Sequence, residues 1–416
     1  MVRLQTDTAH SSHSALRRLR DEGKYLALLA LTEKQLQTAS WEQKNFLQQG
    51  KAGVLSLCGD NAGALLAMDA VRGSLATRIT PAEVLPGSRL RDAREEIVRQ
   101  AGKRQVVVLN EAHHVSRHRA FGLGLLPYLR RLGFTHFAAE AFGTPRALQR
   151  TIAGRTVLRS AGGYIEDTVF GAYVQTAIDL GFTLVPYEIE ESERVGTPDE
   201  QINTREAAQA SNLYERIFKR TPQAKVFIHV GYNHAMRTPV VFEEEGKKTE
   251  ITWMAGRLTK LLGTSLLTID QTGGTERGSR NAESSRVRGV LERPDLKRPS
   301  LVQKADGSFL AEGIGEDCDL TVFHPRQKLR NGRPDWLLAL PGRRAVPLPA
   351  SLKLPRKGRA LLQATRDDAP EDAVSADRCL INPDTPLPVL VLPKGRYRLS
   401  IQDEAGNASE AGRFSV

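Results

Sequence analysis

Glu111, His113 and His114 follow directly on the apolar run Val106–Leu109 and Asn110. One carboxylate and two imidazoles are enough for a general base on water, an acid for a leaving group, or a divalent metal with an open position. Three later segments repeat the arrangement: Phe134–Ala139 ends at Glu140, Phe182–Pro186 leads into Tyr187 and Glu188, and Lys225–Val230 leads into Gly231-Tyr232-Asn233-His234. Groups beyond the carboxyl ends of parallel strands converge on one crevice. The pattern therefore predicts that Glu111, His114, Glu140 and His234 face one cleft. Each group also has a structural reading, with Glu140 and Glu188 at the N-terminus of the next helix and His113 as a satisfied core imidazole.

Glu111 and His114 have Glu-x-x-His spacing, which shares a face if the segment is helical. That selects His114 over His113 as general base or metal ligand, with Glu111 orienting it or polarising water. His234 is the second imidazole. Arg205, on the preceding helix, offers a permanently charged fork for a developing oxyanion, and an ion pair with Glu206 is its structural alternative. His113, Glu188 and Asn233 complete the set as substrate contacts, and Glu111, His114 and His234 are the candidate metal ligands. His118 lies four residues beyond His114, but no Glu lies between them, so a two-histidine zinc face is not expected and His118 is assigned to solvent. The sequence contains no Gly-x-Ser-x-Gly elbow. Gly122-Leu123-Gly124 falls inside a helix and lacks a third glycine, which argues against dinucleotide chemistry.

The elements that position these groups alternate. Strands at 106–109, 134–139, 182–186, 225–230 and 265–269 are separated by helical stretches at 117–132, after Thr144-Pro145, at 167–180, 199–220 and 251–262. Repeated β-α-β units with apolar strands imply a mainly parallel sheet with helices on both faces. Gly133 and Gly181 stop two of the helices, and Asn203 or Thr204 is a candidate cap within the helix 199–220. Residues 271–286 form a polar loop, a candidate lid over the strand ends. Segments 319–323 and 336–340 read as short strands returning to this domain.

Before it, residues 14–74 read as helices with a loose likeness to a tetratricopeptide hairpin, too short to stand alone. They are expected to cap the next domain, with protein contact as an alternative use. From about Ala345 helical periodicity is lost, and strand-like runs with turns between them predict a small all-β sandwich. The expected division is a helical cap at 1–78, an α/β domain at 79–344 and a β-sandwich at 345–416.

The chain has 416 residues, 40% hydrophobic and 26% charged, with a net charge of +11. Those values describe a globular protein of two or three domains. No apolar run approaches the length of a membrane span. The basic residues are scattered with few aromatics among them and no nucleic-acid module, so a solvated basic surface is expected rather than a nucleic-acid partner. The first 13 residues have no apolar signal core, which points to the cytoplasm unless a signal peptide was removed, and to the periplasm or secretion if one was. Cys318 and Cys379 could form one bridge or remain buried thiols.

Asn110-Glu111-Ala112-His113-His114 resembles the Gly-Glu-x-x-His segment of the erythromycin esterase-like superfamily, which includes haem-binding ChaN-like and Tiki/TraB-type proteins. Glu140 resembles its second acidic position. Thr204-Arg205-Glu206 with Asn212 resembles its helix carrying Arg and Asn, and Gly231-Tyr232-Asn233-His234 its Gly-x-x-His segment. The likeness spans residues 100–270. Asn110 stands where the family has Gly, and Tyr232 where the esterases have a second His. The resemblance implies hydrolysis of an ester or amide, on a small-molecule or peptide substrate, by His- and Glu-assisted water with or without a divalent metal. The non-catalytic alternative it implies is a haem- or ligand-binding protein with His or Tyr ligands such as Tyr232.

Overall fold

The computed structural model describes residues 14–71, 81–189, 197–244, 247–349, 352, 354–355 and 357–416. The expected boundary at residue 78 lies outside the described residues. Six strands, Val106–Glu111, Phe134–Ala139, Thr183–Pro186, Lys225–Gly231, Leu267–Asp270 and Leu320–Thr321, form one sheet. Every neighbouring pair in it is parallel. Numbered by chain order, the strands run 6-5-1-4-2-3 across the sheet, so Val106–Glu111 and Lys225–Gly231 are its two central strands.

Both central strands are buried along nearly their whole length. The period of two sorts their side chains between faces. Val107, Leu109, Phe227, Leu267 and Ile269 join one apolar cluster with Leu126 and Phe170 of the helices Ser116–Arg131 and Thr168–Asp179. Val106, Val108, Val226, Ile228 and Val230 join another with Ala210 and Leu258 of the helices Pro198–Leu213 and Met254–Leu262. The sheet is thus covered on both faces, as alternating strands and helices require.

Local signals set most helix ends. Pro145 opens its helix behind the cap Thr144, and Gly133 and Gly181 take left-handed φ of 86° and 73° after theirs. The helix predicted at 199–220 starts earlier, at Pro198, because Thr197 and Glu200 form a capping box. Asn203 caps nothing and instead binds Arg257 and the backbone of Glu250. Three expectations need correction. Segment 336–340 holds the short helix Asp335–Leu338 rather than a strand, the apolar run being too short for periodicity to tell the two apart. The polar stretch 271–286 runs into a helix, Ser285–Leu291, capped by Ser284. A hairpin, Val240–Glu244 with Lys247–Ile251, precedes the helix that was expected to begin at 251.

The N-terminal helices Tyr25–Thr38, Trp41–Leu57 and Asn61–Val71 pack on the C-terminal region and, through Leu65, on Ala112 and Val115 in the loop after Val106–Glu111. Their core includes Leu361, which lies in the four-stranded antiparallel sheet built from Ala360–Arg366, Asp377–Ile381, Arg396–Gln402 and Ala408–Ser415. A two-stranded sheet, Arg343–Val346 with Leu390–Pro393, shares an apolar cluster with it through Leu390 and Leu392. Arg378, 1% exposed, joins the three regions: it stacks on Tyr25 at 4.3 Å and donates to the carbonyls of Leu57 and Glu166. The helix Tyr25–Thr38 has no side-chain cap of its own. Gln402 supplies one, accepting from Leu26 N at 2.8 Å and donating to Gly23 O at 3.1 Å.

The bridge considered between Cys318 and Cys379 is not formed. Cys58, Cys318 and Cys379 are all free and buried. Cys318 packs beneath the parallel sheet and Cys379 inside the antiparallel region. Burial pushes the thiols of Cys58 and Cys379 up to about 12 and that of Cys318 up as well. Thiol reactivity follows thiolate and exposure, so Ellman's reagent is expected to titrate no thiol in the native protein and three after denaturation. Prompt reaction of any one in the native state would contradict this packing.

Candidate active site

Strand parity divides the expected residues into two networks, one from each face of the sheet. Glu111 continues the face of Val107 and Leu109, and His229 that of Phe227. Their side chains meet, His229 Nε2 lying 2.8 Å from Glu111 Oε2. Arg119, one helical turn into Ser116–Arg131, donates to both oxygens of Glu111 at 2.7 Å and to the carbonyl of His113 at 2.8 Å. It also lies 3.3 Å from Asp167, which caps the helix Thr168–Asp179 and accepts from Ser116 Oγ. Ser116 touches Ser56 of the N-terminal helices. Burial alone would raise the Glu111 carboxyl, but the Arg119 guanidinium and the histidine contacts outweigh it and hold the group well below the carboxylate range.

Glu140, Glu188, Arg205 and His234 form the second network, on the face of Ala138 and the helix Pro198–Leu213. Arg205 Nη2 donates to Glu140 Oε1 at 2.6 Å and to Glu188, and its Nε lies 3.0 and 3.1 Å from the two Glu188 oxygens. Gln209 donates to Glu188 at 3.0 Å. Arg205 thus pairs with Glu140 and Glu188 rather than Glu206. Glu206, fully buried, accepts from Met254 N at the start of the next helix and meets His234 Nδ1 at 2.8 Å.

His234 Nε2 lies 3.3 Å from Glu140 Oε1 and 3.3 Å from Arg205 Nη1. Burial would lower this imidazole, but Glu140 and Glu206 outweigh it and push it up to about 10. The ring is therefore charged at neutral pH. Its Nδ1–H donates to Glu206, and Nε2 faces the Glu140 carboxylate and Arg205 Nη1 at the same distance. A folded-state value above the unfolded 6.5 stabilises the fold fully below pH 6.5 and loses that contribution as pH rises towards about 10. His234→Gln is expected to flatten that alkaline slope, read as the urea midpoint between pH 6.5 and 10. An unchanged slope would show that His234 is neutral.

The two networks meet at Gly231. Glu140 Oε2 accepts from Gly231 N at 2.6 Å. A Cβ on Gly231 would lie 2.3 Å from His113 Cε1 and 3.0 Å from Glu140 Oε2, so only glycine lets the imidazole and the carboxylate lie together. His113 Nδ1 is 2.9 Å from Glu111 Oε1. The ring stacks on Tyr164 at 4.2 Å and 12° and meets Tyr232 edge-on at 5.2 Å. Tyr164 and Tyr232 hold φ of 58° and 36°, values that non-glycine residues rarely adopt. Strain of this kind concentrates where geometry matters to function.

The Glu-x-x-His pairing expected of His114 is replaced by a Glu-x-His pairing with His113. Residues 112–115 are not helical, so the period of 3.6 does not apply and residues two apart share a side. His114 is buried elsewhere, its Nδ1 3.3 Å from the Tyr232 hydroxyl, on a cleft of about 200 Å³ that His113 does not line. The metal set Glu111, His114 and His234 is not gathered: among the described residues no three His, Cys, Asp or Glu side chains are placed to hold a metal. Guanidinium and imidazole groups occupy Glu111, Glu206 takes Nδ1 of His234, and the Arg205 guanidinium stands 3.3 Å from its Nε2. A resident cation does not fit the expected residues. His118, assigned to solvent, is fully buried, accepting from Ala112 N at 3.0 Å and lying 2.7 Å from Thr275 Oγ1. Asn233 is half-buried in the turn Tyr232–Ala235.

Three contributors escaped sequence reading, Arg119, Tyr164 and His229, while Glu206 was read only as an alternative partner for Arg205. His229 had a signal, since it lies two residues before Gly231 on a strand whose alternate side chains share the face of Glu111. Asn110, in the place of the family's glycine, is fully buried and cross-links the sheet through Asp270, Gln271 and the carbonyl of Tyr232.

No family model matches the sequence, and no curated protein is similar to it. Solved structures with remote likeness include one described as bacterial protein toxins, at 14% identity and TM-score 0.33, covering 44% of this chain and 37% of that one. Another is the type III effector HopBA1, at 10% identity and TM-score 0.31, covering 58% of this chain and 98% of that one. A third is RRSP, a MARTX toxin effector domain from Vibrio vulnificus, at 15% identity and TM-score 0.29, covering 54% and 44%. The chain thus spans less than half the length of the first and third. Among the described residues no helix is long and apolar enough to cross a membrane.

Proposed function

We propose that this chain is a hydrolase of carboxylic esters or amides in which His113 is the general base. The carrying observation is the dyad: Nδ1 of His113 is fixed by the ionised Glu111, and Nε2 has no hydrogen-bond partner among the described residues. An imidazole held in one tautomer by a carboxylate, with its other nitrogen available, is the arrangement that activates a nucleophile. No serine or cysteine makes contact with the His113 ring among the described residues, so the nucleophile is water. Nε2 takes a proton from that water as its oxygen bonds to the carbonyl carbon. The same proton passes to the leaving oxygen or nitrogen as its bond to carbon breaks.

Glu140 and Glu111 flank the imidazolium that forms. Arg205 Nη1 is the guanidinium nitrogen that gives nothing to a carboxylate, and it is assigned to the developing oxyanion. The likeness of residues 110–114, 140, 204–206 and 231–234 to the erythromycin esterase-like superfamily supports this reading.

A screen of 4-nitrophenyl esters and anilides run in ¹⁸O-enriched water tests it. One ¹⁸O atom is expected in the carboxylate product, and Glu111→Gln is expected to abolish turnover. Absence of turnover across the screen, or ¹⁸O in the alcohol, would refute it.

A further inference from the structure

The cleft of about 200 Å³ beside the site is not used by the mechanism above. We infer that it is the acyl subsite of the reaction, taking a short, uncharged aliphatic chain, and that the N-terminal helices set its length limit. This inference rests on the proposed hydrolase reading.

Its apolar wall comes from three separate parts of the chain: Leu65 of the helix Asn61–Val71, Ala112 and Val115 beside the dyad, and Ile314 of the turn Gly313–Asp317. Leu65, Ala112 and Val115 pack as one cluster with Tyr232. Tyr232 also stands edge-on to His113 at 5.2 Å, so the cleft adjoins the imidazole across this one tyrosine.

The polar groups of the wall are already paired. Thr275 donates to Gln271 O at 2.8 Å, and burial holds His118 well below the usual imidazole range, so the neutral ring donates through Nε2 to Thr275 while Nδ1 accepts from Ala112. His114 and Arg277 also line the cleft and have partners of their own, so what remains for a ligand is mainly hydrocarbon surface. Glu276 on the rim, mostly buried and with its nearest cations at 4.0 Å, disfavours an anionic chain. The volume is below the roughly 300 Å³ of drug-sized pockets. At roughly 30 Å³, one water volume, per carbon, it fits an acyl chain of at most about six carbons.

The position of Leu65 is fixed. A Cβ on Gly278 would lie 2.4 Å from Leu66 N, and Asp69 accepts from Ser279 N at 2.7 Å, so the helix is clamped to the loop that forms the other wall. The length limit is therefore built in rather than adjustable.

The test is a series of 4-nitrophenyl esters from acetate to octanoate, on the whole chain. The wild type is expected to gain about fourfold in kcat/KM per methylene up to at most about six carbons, the 0.8 kcal/mol of a buried CH₂, and then to fall. Ile314→Trp and Leu65→Trp should keep acetate turnover and lose hexanoate by at least tenfold, through KM. Leu65→Ala should move the optimum to a longer chain. An unshifted profile in all three variants overturns the inference.

Saturation-transfer NMR with butyranilide separates this from failure of the hydrolase reading. Transfer to the butyryl protons that is lost in Ile314→Trp supports the subsite even if no ester turns over. No transfer in the wild type overturns it.

Discussion

His113→Gln is expected to lower kcat on any ester or amide substrate by about 10³-fold, within the roughly 10²- to 10⁴-fold contribution of general-base catalysis. His114→Gln should retain activity within about tenfold. Glutamine at 113 keeps a donor for Glu111 Oε1, so the buried carboxylate stays paired and the loss isolates proton transfer. His114 carries the sequence-based expectation of Glu-x-x-His, and its Nδ1 meets the Tyr232 hydroxyl rather than Glu111. The pair of variants decides between the two readings in one experiment. Full activity in His113→Gln with loss in His114→Gln would restore the helical reading and remove the dyad from the mechanism. Circular dichroism of both variants should match the wild type, since neither substitution strips a buried ion of its partner.

Arg119→Met is expected to cost about 3–5 kcal/mol, the usual penalty for leaving a buried charge without its partner. Arg119 is 1% exposed and faces Glu111 and Asp167, at 3% and 1%. Burial works against its charge, but the two carboxylates outweigh that and raise its affinity for the proton. Removing it leaves two buried anions that His229 and Ser116 cannot neutralise. Against a typical total stability of about 5–15 kcal/mol, much of the folded margin would disappear. Arg119→Lys should rescue little, because one ammonium cannot bridge both Glu111 oxygens, the His113 carbonyl and Asp167. Urea unfolding at pH 7 is the measurement. A loss below about 1 kcal/mol in Arg119→Met would mean that the carboxylates take up protons instead, and that Glu111 does not hold His113 through a permanent charge.

The sheet was legible because hydrophobic periodicity is a local property. Continuous β-branched runs at 106–109 and 225–230 admit few readings besides a covered strand. The helix stops at Gly133 and Gly181 and the Pro145 start follow from single residues. The acidic and imidazole groups at the strand ends were legible for the same reason. Whether His113 or His114 meets Glu111 depended on whether 112–115 continue as helix, and the pairing of Glu111 with Arg119 and His229 left no mark in the local sequence. Arg119 looked like an ordinary helical arginine, and its role comes from a strand eight residues earlier and a cap at Asp167. Tyr164 reaches the site only through tertiary placement, whereas His229 was readable from the alternation of its strand. The strand expected at 336–340 failed because its apolar run is as short as one helical turn, where periodicity does not discriminate. The disulfide considered for Cys318 and Cys379 failed because proximity in sequence says nothing about which side of which sheet each thiol packs against.

The cap that Gln402 places on the helix Tyr25–Thr38 has a consequence for synthesis. Leu26 N and Gln402 Oε1 are separated by 376 residues. At roughly 5–20 residues per second, a ribosome needs on the order of 20–75 s to make the intervening chain. Throughout that interval the apolar face of Leu26 and Leu29 lacks Leu361 and its neighbouring strands, and the helix lacks its terminal acceptor. These helices are thus completed only once the C-terminal strands follow, and the nascent chain carries an uncovered hydrophobic surface throughout that interval. Translation in a system lacking holdase chaperones should give aggregates nucleated by the N-terminal helices. Supplying the C-terminal sheet in trans early in synthesis should suppress them.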